Sequence, residues 1–340
     1  MKAVGYKKSL PIEDQDALID FETAKPEPKG RDIRVAVKAI SANPVDYKVR
    51  KRAAPPEGET KILGYDAAGV VDAVGPDVTL FKPGDEVFYA GSILRQGTNA
   101  EFHLVDERIV GRKPKSLSLA EAAALPLTSI TAWELLFDRF AIARGNAAHT
   151  GAVLIVGAAG GVGSMAVQLA RRLANLTVIG TASRPETQDW VRELGAHHVV
   201  DHRGDLKAQV LAVAPQGVDY VLSLTHTEQH YPVLVELLKP QGKFGLIDDP
   251  DGVLDIGLLK RRSLSLHWEF MFTRPLFQTE DMKAQHQLLN EVADLVDAGV
   301  LRTTLREHVG SIDAANLRRA HERLESGSAI GKLVLGGWGS

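Results

Sequence analysis

The sequence predicts an α/β protein in which a doubly wound parallel sheet accompanies a second, β-rich domain. Three observations carry this prediction: a strand, glycine turn and helix over residues 152–170, alternating strands and helices after it, and short strands with turns before it. The 340 residues exceed the roughly 250–300 that one hydrophobic core serves, so we expect two domains. We place one domain at residues 1–126 and 270–340, and the other at residues 127–269.

The stretch AVLIVGAAGGVGSMAVQLA predicts a strand, a phosphate loop and a helix. Ala152–Val156 is short, apolar and β-branched, as is typical of a parallel strand buried on both faces. Apolar residues then recur at helical spacing, and Leu176–Ala182 supplies the next parallel strand of a βαβ unit. The loop departs from the strict G-x-G-x-x-G pattern because Ala158 stands at the first glycine position.

Glycines in this loop allow a bound diphosphate to approach the backbone, and the amide groups at the helix start can receive its charge. The residues expected at the diphosphate are Ala159, Gly160, Gly161 and Val162. A plain glycine turn between strand and helix is the alternative interpretation.

Short strands separated by turns characterise the first 112 residues, which we interpret as an all-β segment and a small barrel. The predicted strands are Arg34–Ala39, Gly69–Val74 and Glu86–Ala90. Ser118 and Glu121 then form a capping box that predicts a helix start. We expect Leu125-Pro126 to interrupt this helix, and a second helix to cover Leu127–Ala143.

The later chain alternates strands with helical patterns, as a doubly wound sheet requires. The predicted strands are Val153–Val156, Thr177–Ala182, His198–Asp201, Tyr220–Leu224, Lys243–Ile247 and Leu264–His267. Helices at Ala284–Ala298 and Ala314–Ser326 and a strand at Lys332–Leu335 follow, and this tail is expected to return to the first domain.

Composition narrows the function classes. A formal net charge of −3 argues against a nucleic-acid or membrane partner, since both favour a basic surface. The first residues lack the apolar core of a signal peptide, so we expect a cytoplasmic protein with a small-molecule substrate. The chain has no cysteine, which excludes disulfides, cysteine nucleophiles and cysteine-bound zinc.

Several motifs together resemble the medium-chain dehydrogenase/reductase superfamily over nearly the whole chain. They are Ala39–Asp46, Gly64–Val74, Phe81–Val87, Ala123–Trp133, Gly157–Ala170 and Gly195–Asp201. Within the superfamily the chain looks like the quinone oxidoreductase branch, especially the group often labelled zinc-type alcohol dehydrogenase-like proteins. The resemblance implies an NADPH-dependent reductase with a GroES-like domain and a Rossmann domain.

The positions that hold zinc in zinc-dependent relatives carry other residues here. Asn43 stands at the first ligand position, Tyr65 replaces the histidine, and the Leu127–Thr128 region occupies the place of the third ligand. Asparagine and tyrosine are poor zinc ligands, and a catalytic zinc needs three protein ligands. We therefore predict no catalytic metal.

The cofactor preference is predicted from the end of the second Rossmann strand, where an NAD-binding domain carries an acid. Ser183 and Arg184 stand there instead, and a guanidinium suits the 2′-phosphate of NADPH. The resemblance places His202 beside the same phosphate. Alternatively, Arg184 only caps a solvated loop.

Further cofactor contacts are implied by the resemblance alone. It places Asn43 and Thr128 near the nicotinamide, Ser223 and Thr225 near the ribose, and Leu246 and Ile247 at the carboxamide. Each of these residues could equally be a structural turn residue.

Without a metal, an enone or quinone is a better hydride acceptor than an isolated ketone, because conjugation spreads the developing charge. Tyr47, Tyr65 and Asp46 are the candidates for orienting the carbonyl or relaying a proton. The competing interpretation makes Tyr65 a core residue and Asp46 a turn cap.

Two further features stay outside this scheme. His226 and His230 have a metal-binding spacing, yet the sequence offers no third ligand. Leu264–Phe272 is an aromatic edge strand that would pair with a second subunit to form a homodimer, unless the chain's own tail covers it.

The sequence therefore favours a zinc-independent NADPH-dependent reductase of quinones or α,β-unsaturated carbonyls. A zinc-type alcohol dehydrogenase and a non-catalytic NADPH-binding sensor are the alternatives.

Overall fold

The computed structural model describes residues 1–145 and 151–339. These form two compact units, Met1–Ile130 with Phe272–Ser340 (unit 1) and Thr131–Met271 (unit 2). None of the helices in the described ranges is both long and apolar enough to cross a membrane.

The strands are β1 (Lys2–Tyr6), β2 (Ile19–Glu22), β3 (Asp32–Ala42), β4 (Lys61–Ile62), β5 (Ala67–Val74), β6 (Glu86–Tyr89), β7 (Phe102–Asp106), β8 (Val110–Arg112), β9 (Ala152–Val156), β10 (Thr177–Thr181), β11 (His198–Val200), β12 (Val218–Ser223), β13 (Leu238–Leu246), β14 (Ser265–Trp268), β15 (Leu305–Ile312) and β16 (Lys332–Trp338). The α-helices are α1 (Pro44–Arg52), α2 (Leu119–Ala123), α3 (Pro126–Trp133), α4 (Gly161–Arg172), α5 (Pro185–Glu193), α6 (Leu206–Val213), α7 (Thr227–Leu237), α8 (Gly257–Lys260), α9 (Thr273–Phe277), α10 (Ala284–Asp297) and α11 (Ala314–Glu325).

Unit 1 is organised around the long strand β3, whose inward side chains are almost fully buried. A seven-stranded sheet runs in the order β15-β16-β3-β5-β6-β8 with β7 also on β3, and a three-stranded sheet runs β2-β1-β4. The predicted strands of this segment are confirmed, with β3 longer than expected at both ends. The all-β interpretation of residues 1–112 is wrong at α1, where Pro44 occupies the first helical turn and Asn43 caps it.

The capping box at Ser118 is confirmed: Ser118 accepts from the amide of Glu121, whose side chain accepts in return, and α2 follows. The interruption is also confirmed, because α2 ends at Ala123 and Pro126 opens α3. The predicted helix Leu127–Ala143 is wrong in its second half. A π-helical turn covers Glu134–Arg139, and at Ala141 the chain adopts a left-handed conformation that ends the helical path.

Unit 2 confirms the doubly wound prediction. Its six strands run in the order β11-β10-β9-β12-β13-β14, and each neighbouring pair is parallel. Every residue of the central strand β9 is buried, which explains its uniformly apolar sequence. β14 forms one edge of this sheet, and the aromatic side chains of Trp268 and Phe270 there are 52% and 45% exposed.

The C-terminal tail belongs to unit 1, because β16 pairs antiparallel with β3. Both late helices form as predicted, within one residue at their C-terminal ends. The closing strand runs on to Trp338, beyond the predicted Leu335, and the indole of Trp338 donates to the carbonyl of Val37.

The glycines of the loop before α4 differ in how much room they have. A Cβ on Gly163 would lie 2.3 Å from the carbonyl oxygen of Gly157 and 2.6 Å from Cα of Ala158, both rigid backbone atoms. The nearest atom to a Cβ on Gly160 is the same oxygen at 3.5 Å, an ordinary contact. The third glycine therefore lets α4 pack on the turn, whereas Gly160 leaves space in front of the helix.

We expect Gly163→Ala to lower the unfolding midpoint of unit 2 by the equivalent of about 2 kcal/mol or more, because backbone atoms must move to admit the methyl group. Thermal unfolding of Gly163→Ala against Gly160→Ala measures this, and Gly160→Ala should stay near the wild-type midpoint. Equal midpoints for the two variants would contradict the packing role of Gly163.

Candidate functional site

The loop between β9 and α4 is the candidate diphosphate site of unit 2. Gly157 adopts φ +79°, and its amide donates to the hydroxyl of Thr181 at 3.0 Å, which joins the ends of β9 and β10. Gly160 caps α4 in an extended conformation. The amides of the first turn of a helix have no acceptor within the helix, and here they open α4 at Gly161 and Val162.

The front of this loop is partly exposed to solvent. Ala158 is fully buried and Ala159 is 9% exposed, whereas Gly160, Gly161 and Val162 are half-buried. The loop is also fixed from behind, since the Ser164 hydroxyl donates to the carbonyl of Gly160 at 2.7 Å and accepts from the Trp190 indole at 2.9 Å. A rigid loop with outward amides is suited to bind an anion.

The segment after β10 carries the residues that we expect at a 2′-phosphate. Ser183 and Arg184 are half-buried, and the Arg184 side chain is 40% exposed. The guanidinium of Arg184 lies 3.4 Å from the Glu186 carboxylate, a loose and solvated pairing. Arg203 from the loop after β11 donates to the carbonyl of Ser183, so the two loops hold each other in place.

The remaining predicted cofactor residues of unit 2 follow β11, β12 and β13. Thr225 packs its methyl group against Gly157, where an added Cβ would be 3.0 Å away. The hydroxyl of Ser223 is buried and shares a 2.8 Å hydrogen bond with that of Thr227 in the first turn of α7. Leu246 is fully buried at the end of β13, and the adjacent Ile247 is half-buried.

Unit 1 contains a second polar constellation, centred on the buried carboxylate of Asp66. Its Oδ2 accepts from the Asn43 amide at 2.8 Å and lies 3.0 Å from the Lys332 ammonium, while Oδ1 accepts from the backbone of Leu127 at 2.8 Å. Lys332 also donates to Oδ1 of Asn43 and to the carbonyl of Ala42, the latter at 2.9 Å. An ammonium surrounded by three oxygen atoms therefore occupies this part of the unit.

This arrangement engages both ends of the Asn43 side chain. Its side-chain nitrogen donates to the Asp66 carboxylate and to the carbonyl of Ser41, and its side-chain oxygen accepts from the Lys332 ammonium. Burial raises the pKa of Asp66, and the ammonium of Lys332 opposes that shift. Asn43 was predicted near the nicotinamide, and it is 1% exposed in this structure.

Asp46 is buried, and each of its carboxylate oxygens accepts a hydrogen bond from a backbone amide. One oxygen accepts from the amide of Asn43 at 2.7 Å, and the other accepts from Gly64 at 3.0 Å. Burial raises the pKa of Asp46 to about 7, against the pull of these hydrogen bonds and of Lys332. Asp46 thus caps α1 and fixes the glycine turn at Gly64.

Three other predicted residues of unit 1 differ in exposure. Tyr65 is fully buried beside Phe272, and its hydroxyl lacks a hydrogen-bond partner among the described residues. Burial raises the pKa of Tyr65, and the nearby Asp46 adds to the shift. Tyr47 is half-buried with the Lys51 ammonium over its ring, and the buried Thr128 donates to the carbonyl of Leu125.

Sequence reasoning missed both partners of the buried ion pair. Asp66 stands alone in an apolar stretch, and Lys332 opens an otherwise apolar strand. Either position could have signalled a buried charge that needs a partner. It also missed Glu134 and Glu269 of unit 2, two buried carboxylates beside Arg139 whose mutual repulsion, together with burial, raises the pKa of Glu269.

Two family models match the chain: the alcohol dehydrogenase GroES-like domain over residues 29–124 and the zinc-binding dehydrogenase model over residues 194–335. A zinc-type alcohol dehydrogenase-like protein of Staphylococcus aureus is 43% identical over 336 residues, which is 98% of this chain and 99% of the relative. The chain belongs to the medium-chain dehydrogenase/reductase superfamily. Its resemblance to that superfamily and its Rossmann and GroES-like fold class are thereby confirmed.

Other members of the superfamily that are similar to this chain are named for several different oxidoreductase activities. A mitochondrial NAD(P)H oxidoreductase of Homo sapiens is 31% identical, covering 89% of this chain and 81% of the relative. A Rhizobium etli structure described as a zinc-dependent alcohol dehydrogenase superposes with a TM-score of 0.95 at 60% identity, covering 100% of this chain and 99% of that one. The Escherichia coli quinone oxidoreductase complexed with NADPH gives a TM-score of 0.83 at 25% identity, with 99% and 100% coverage. The chain is thus an oxidoreductase of this superfamily.

The zinc that several of these names imply does not fit the residues present. Among residues 1–145 and 151–339, no three histidine, aspartate or glutamate side chains are arranged to hold a metal ion. The positions expected for the first and second ligands carry the engaged amide of Asn43 and the buried phenol of Tyr65. A cation is already present beside Asn43, namely the ammonium of Lys332.

We expect Lys332→Met to destabilise unit 1 by about 3–5 kcal/mol, because the Asp66 carboxylate is left buried without its counter-ion. Adding Asp66→Asn should recover part of that loss. Urea unfolding measures both, and Lys207→Met, which breaks an exposed pair with Glu236, should change the midpoint little. A midpoint for Lys332→Met equal to that of Lys207→Met would contradict the assigned role.

Proposed function

We propose that the protein is a zinc-independent, NADPH-dependent reductase that transfers hydride to quinones or α,β-unsaturated carbonyl compounds. The observation that carries the proposal is the engagement of Asn43 by Lys332 and Asp66, which leaves the first ligand position unsuited to zinc. Structural neighbours named quinone oxidoreductases, one of them complexed with NADPH, support the choice of acceptor and cofactor.

The chemistry follows from the acceptor's conjugation. NADPH, when bound, supplies the hydride, which adds to a conjugated carbon, and the resulting charge spreads to the carbonyl oxygen. The protein must then orient the acceptor and allow a proton to reach that oxygen or the adjacent carbon. No metal is required to stabilise a charge that is already delocalised.

Tyr65 and Tyr47 are the residues that we propose for orienting the acceptor. The hydroxyl of Tyr65 lacks a partner within the described part of the chain, and burial raises its pKa, so it stays protonated as a donor. Asp46 was a third candidate. Because both of its oxygens accept backbone amides, we assign it a positioning role beneath Asn43 and Gly64.

NADPH is the proposed cofactor because the end of β10 carries Ser183 and Arg184 in place of an acid. The guanidinium is partly exposed and only loosely paired with Glu186, so a 2′-phosphate can replace that contact. His202, Thr225 and the glycine loop complete the proposed contacts, and Thr128 and Asn43 remain proposed for the nicotinamide end.

The second candidate is an alcohol dehydrogenase, favoured by the printed names of relatives at 43% and 60% identity. It requires a zinc ion, which would polarise an isolated carbonyl. A sensor that binds NADPH without turnover is the third. An acceptor screen separates the three.

We expect NADPH oxidation with quinones and enones, and little with simple aldehydes whether or not zinc is added. Absorbance at the reduced-nicotinamide band follows the reaction across matched acceptor pairs, such as an enone and its saturated ketone. Turnover of simple aldehydes only after zinc addition would support the alcohol dehydrogenase instead. Saturable NADPH binding with every acceptor unreduced would support the sensor.

Arg184→Ala is expected to weaken NADPH binding by about tenfold or more, or about 1.4 kcal/mol, while NADH binding changes little. The reason is that only NADPH carries the phosphate that the guanidinium would meet. Calorimetric titration with both cofactors measures the effect, and Arg192→Ala on the same helix, paired with Asp189, is the control. Equal losses for both cofactors would remove the 2′-phosphate role.

We also propose a homodimer in which β14 of each copy pairs at the sheet edge that exposes Trp268 and Phe270. Trp268→Lys should then shift the mass measured by light scattering towards that of a monomer. Leu94→Lys, at an exposed apolar side chain of unit 1, serves as the control. A monomeric wild-type protein would contradict the pairing.

A further inference from the structure

Three histidines gather at the carboxyl ends of β11 and β12 in unit 2, beside the proposed adenosine end of the cofactor site. The rings of His202 and His230 have centroids 6.2 Å apart at an interplanar angle of 71°. His226 precedes α7, and its Nδ1 lies 2.8 Å from the Thr225 hydroxyl. Thr225 in turn packs against Gly157, which ties this cluster to the glycine loop.

The backbone at His226 indicates that its placement is specific. It adopts φ +49° and ψ +40°, a left-handed conformation that is uncommon outside glycine and that histidine, like asparagine and aspartate, adopts more often than other side chains do. This conformation places the imidazole of His226 at the start of α7, where its Nδ1 is hydrogen-bonded to the Thr225 hydroxyl. His230 is 9% exposed one turn later on the same helix.

The cluster contains a buried polar atom that calls for a partner. Nδ1 of His202 is inaccessible to solvent and makes no hydrogen bond to the described residues. Buried polar atoms are nearly always bonded in folded proteins, so an unbonded nitrogen next to a proposed ligand site is a candidate for a bond to that ligand. The carboxylate of Asp201, the residue before His202, already accepts hydrogen bonds from Arg203 at both of its oxygens.

Electrostatics favour an anion at this place. The charged groups that act on His202 are Asp201, Arg203 and His226, and those that act on His230 are His202 and His226. Burial lowers the pKa of both imidazoles, so the free protein keeps them neutral near pH 7. The Asp201 carboxylate opposes this shift at His202, while Arg203 and His226 add to it, and at His230 the other two histidines add to it. An incoming phosphate would reverse this balance and favour their protonation.

We propose that His202 and His230, with His226 beside them, form a subsite for the 2′-phosphate end of NADPH in which proton uptake by His202 and His230 strengthens the preference for NADPH over NADH as pH falls. This inference rests on the proposed cofactor and adds His226 and His230 to its contacts. It also makes the preference for NADPH adjustable by pH through the protein's own side chains.

The direction of the pH dependence follows from linkage. If the phosphate raises an imidazole pKa, the complex holds more protons than the free protein, and affinity increases as pH decreases. Each proton taken up changes the affinity by at most tenfold per pH unit, over the range in which histidine titrates, around 6.5. NADH lacks the phosphate and should bind with little pH dependence.

The test is calorimetric titration with NADPH and with NADH at about pH 6 and about pH 8, at constant ionic strength. The wild type is compared with the double variant His226→Asn/His230→Gln and with the single variant His226→Asn, since asparagine tolerates the left-handed backbone and His226 is exposed. His308→Asn, an exposed histidine of unit 1, is the matched control. The 2′-phosphate of NADPH titrates in the same way in every titration. Differences in pH dependence between the wild type and the variants therefore come from the imidazoles.

We expect the NADPH-to-NADH affinity ratio of the wild type and of His308→Asn to rise about tenfold from the higher to the lower pH. The double variant should show a rise of less than about threefold, with His226→Asn between. A rise of equal size in every protein, or a constant preference for NADPH, would overturn this inference and leave the proposed cofactor intact. The absence of any NADPH preference at either pH would overturn both.

Discussion

The carboxylate of Asp66 is the interaction on which the interior of unit 1 depends. It receives the amide of Asn43 at the start of α1, the backbone of Leu127 in the first turn of α3, and the ammonium of Lys332 at the start of β16. These segments are distant in sequence, and a fully buried carboxylate must be satisfied on both oxygens to be tolerated. One charge therefore fixes three chain segments and determines which atoms of Asn43 remain available.

That constraint also decides the chemistry that unit 1 can support. Superfamily relatives carry zinc in their names, yet the ligand positions of this chain hold an amide already bonded at both ends and a buried phenol. The cation beside Asn43 is the ammonium of Lys332, which offsets the charge of Asp66 but offers no open coordination position to a substrate. Hydride acceptors that stabilise their own negative charge match such a site better than isolated carbonyls.

Unit 2 carries the features that we propose for holding a dianionic diphosphate, namely the backbone of the glycine loop and a few charged side chains. Gly157 and Gly160 shape the turn, Gly163 lets α4 pack closely behind it, and the outward amides belong to a rigid loop. The side chains that we propose for selectivity lie on the loops after β10 and β11 and on α7, and the side chain of Arg184 is partly exposed. Rigid backbone for the common diphosphate and adjustable side chains for the 2′-position form a coherent division of roles.

The sequence predicted most of this fold because the relevant signals are local. The apolar run at Ala152–Val156, the glycine turn and the capping box at Ser118 each have a direct backbone consequence. Prediction failed where tertiary contacts decide: α1 forms inside a segment whose pattern favours strands, and the helix after Pro126 changes to a π-turn at Glu134. The Asp66–Lys332 pair joins residues that are far apart in sequence, so a local pattern could mark each charge as buried but could not show that the two meet.

The most direct test of this account is the zinc content of fully active protein. Elemental analysis of the purified enzyme, alongside NADPH oxidation with a quinone before and after exhaustive chelation, joins metal and activity in one experiment. We expect the purified protein to contain far less than one zinc ion per chain, and its NADPH oxidation activity to be unchanged by chelation. Zinc independence would be contradicted if the protein held one zinc ion per chain, lost quinone reduction when chelation removed that ion, and regained the activity when zinc was restored.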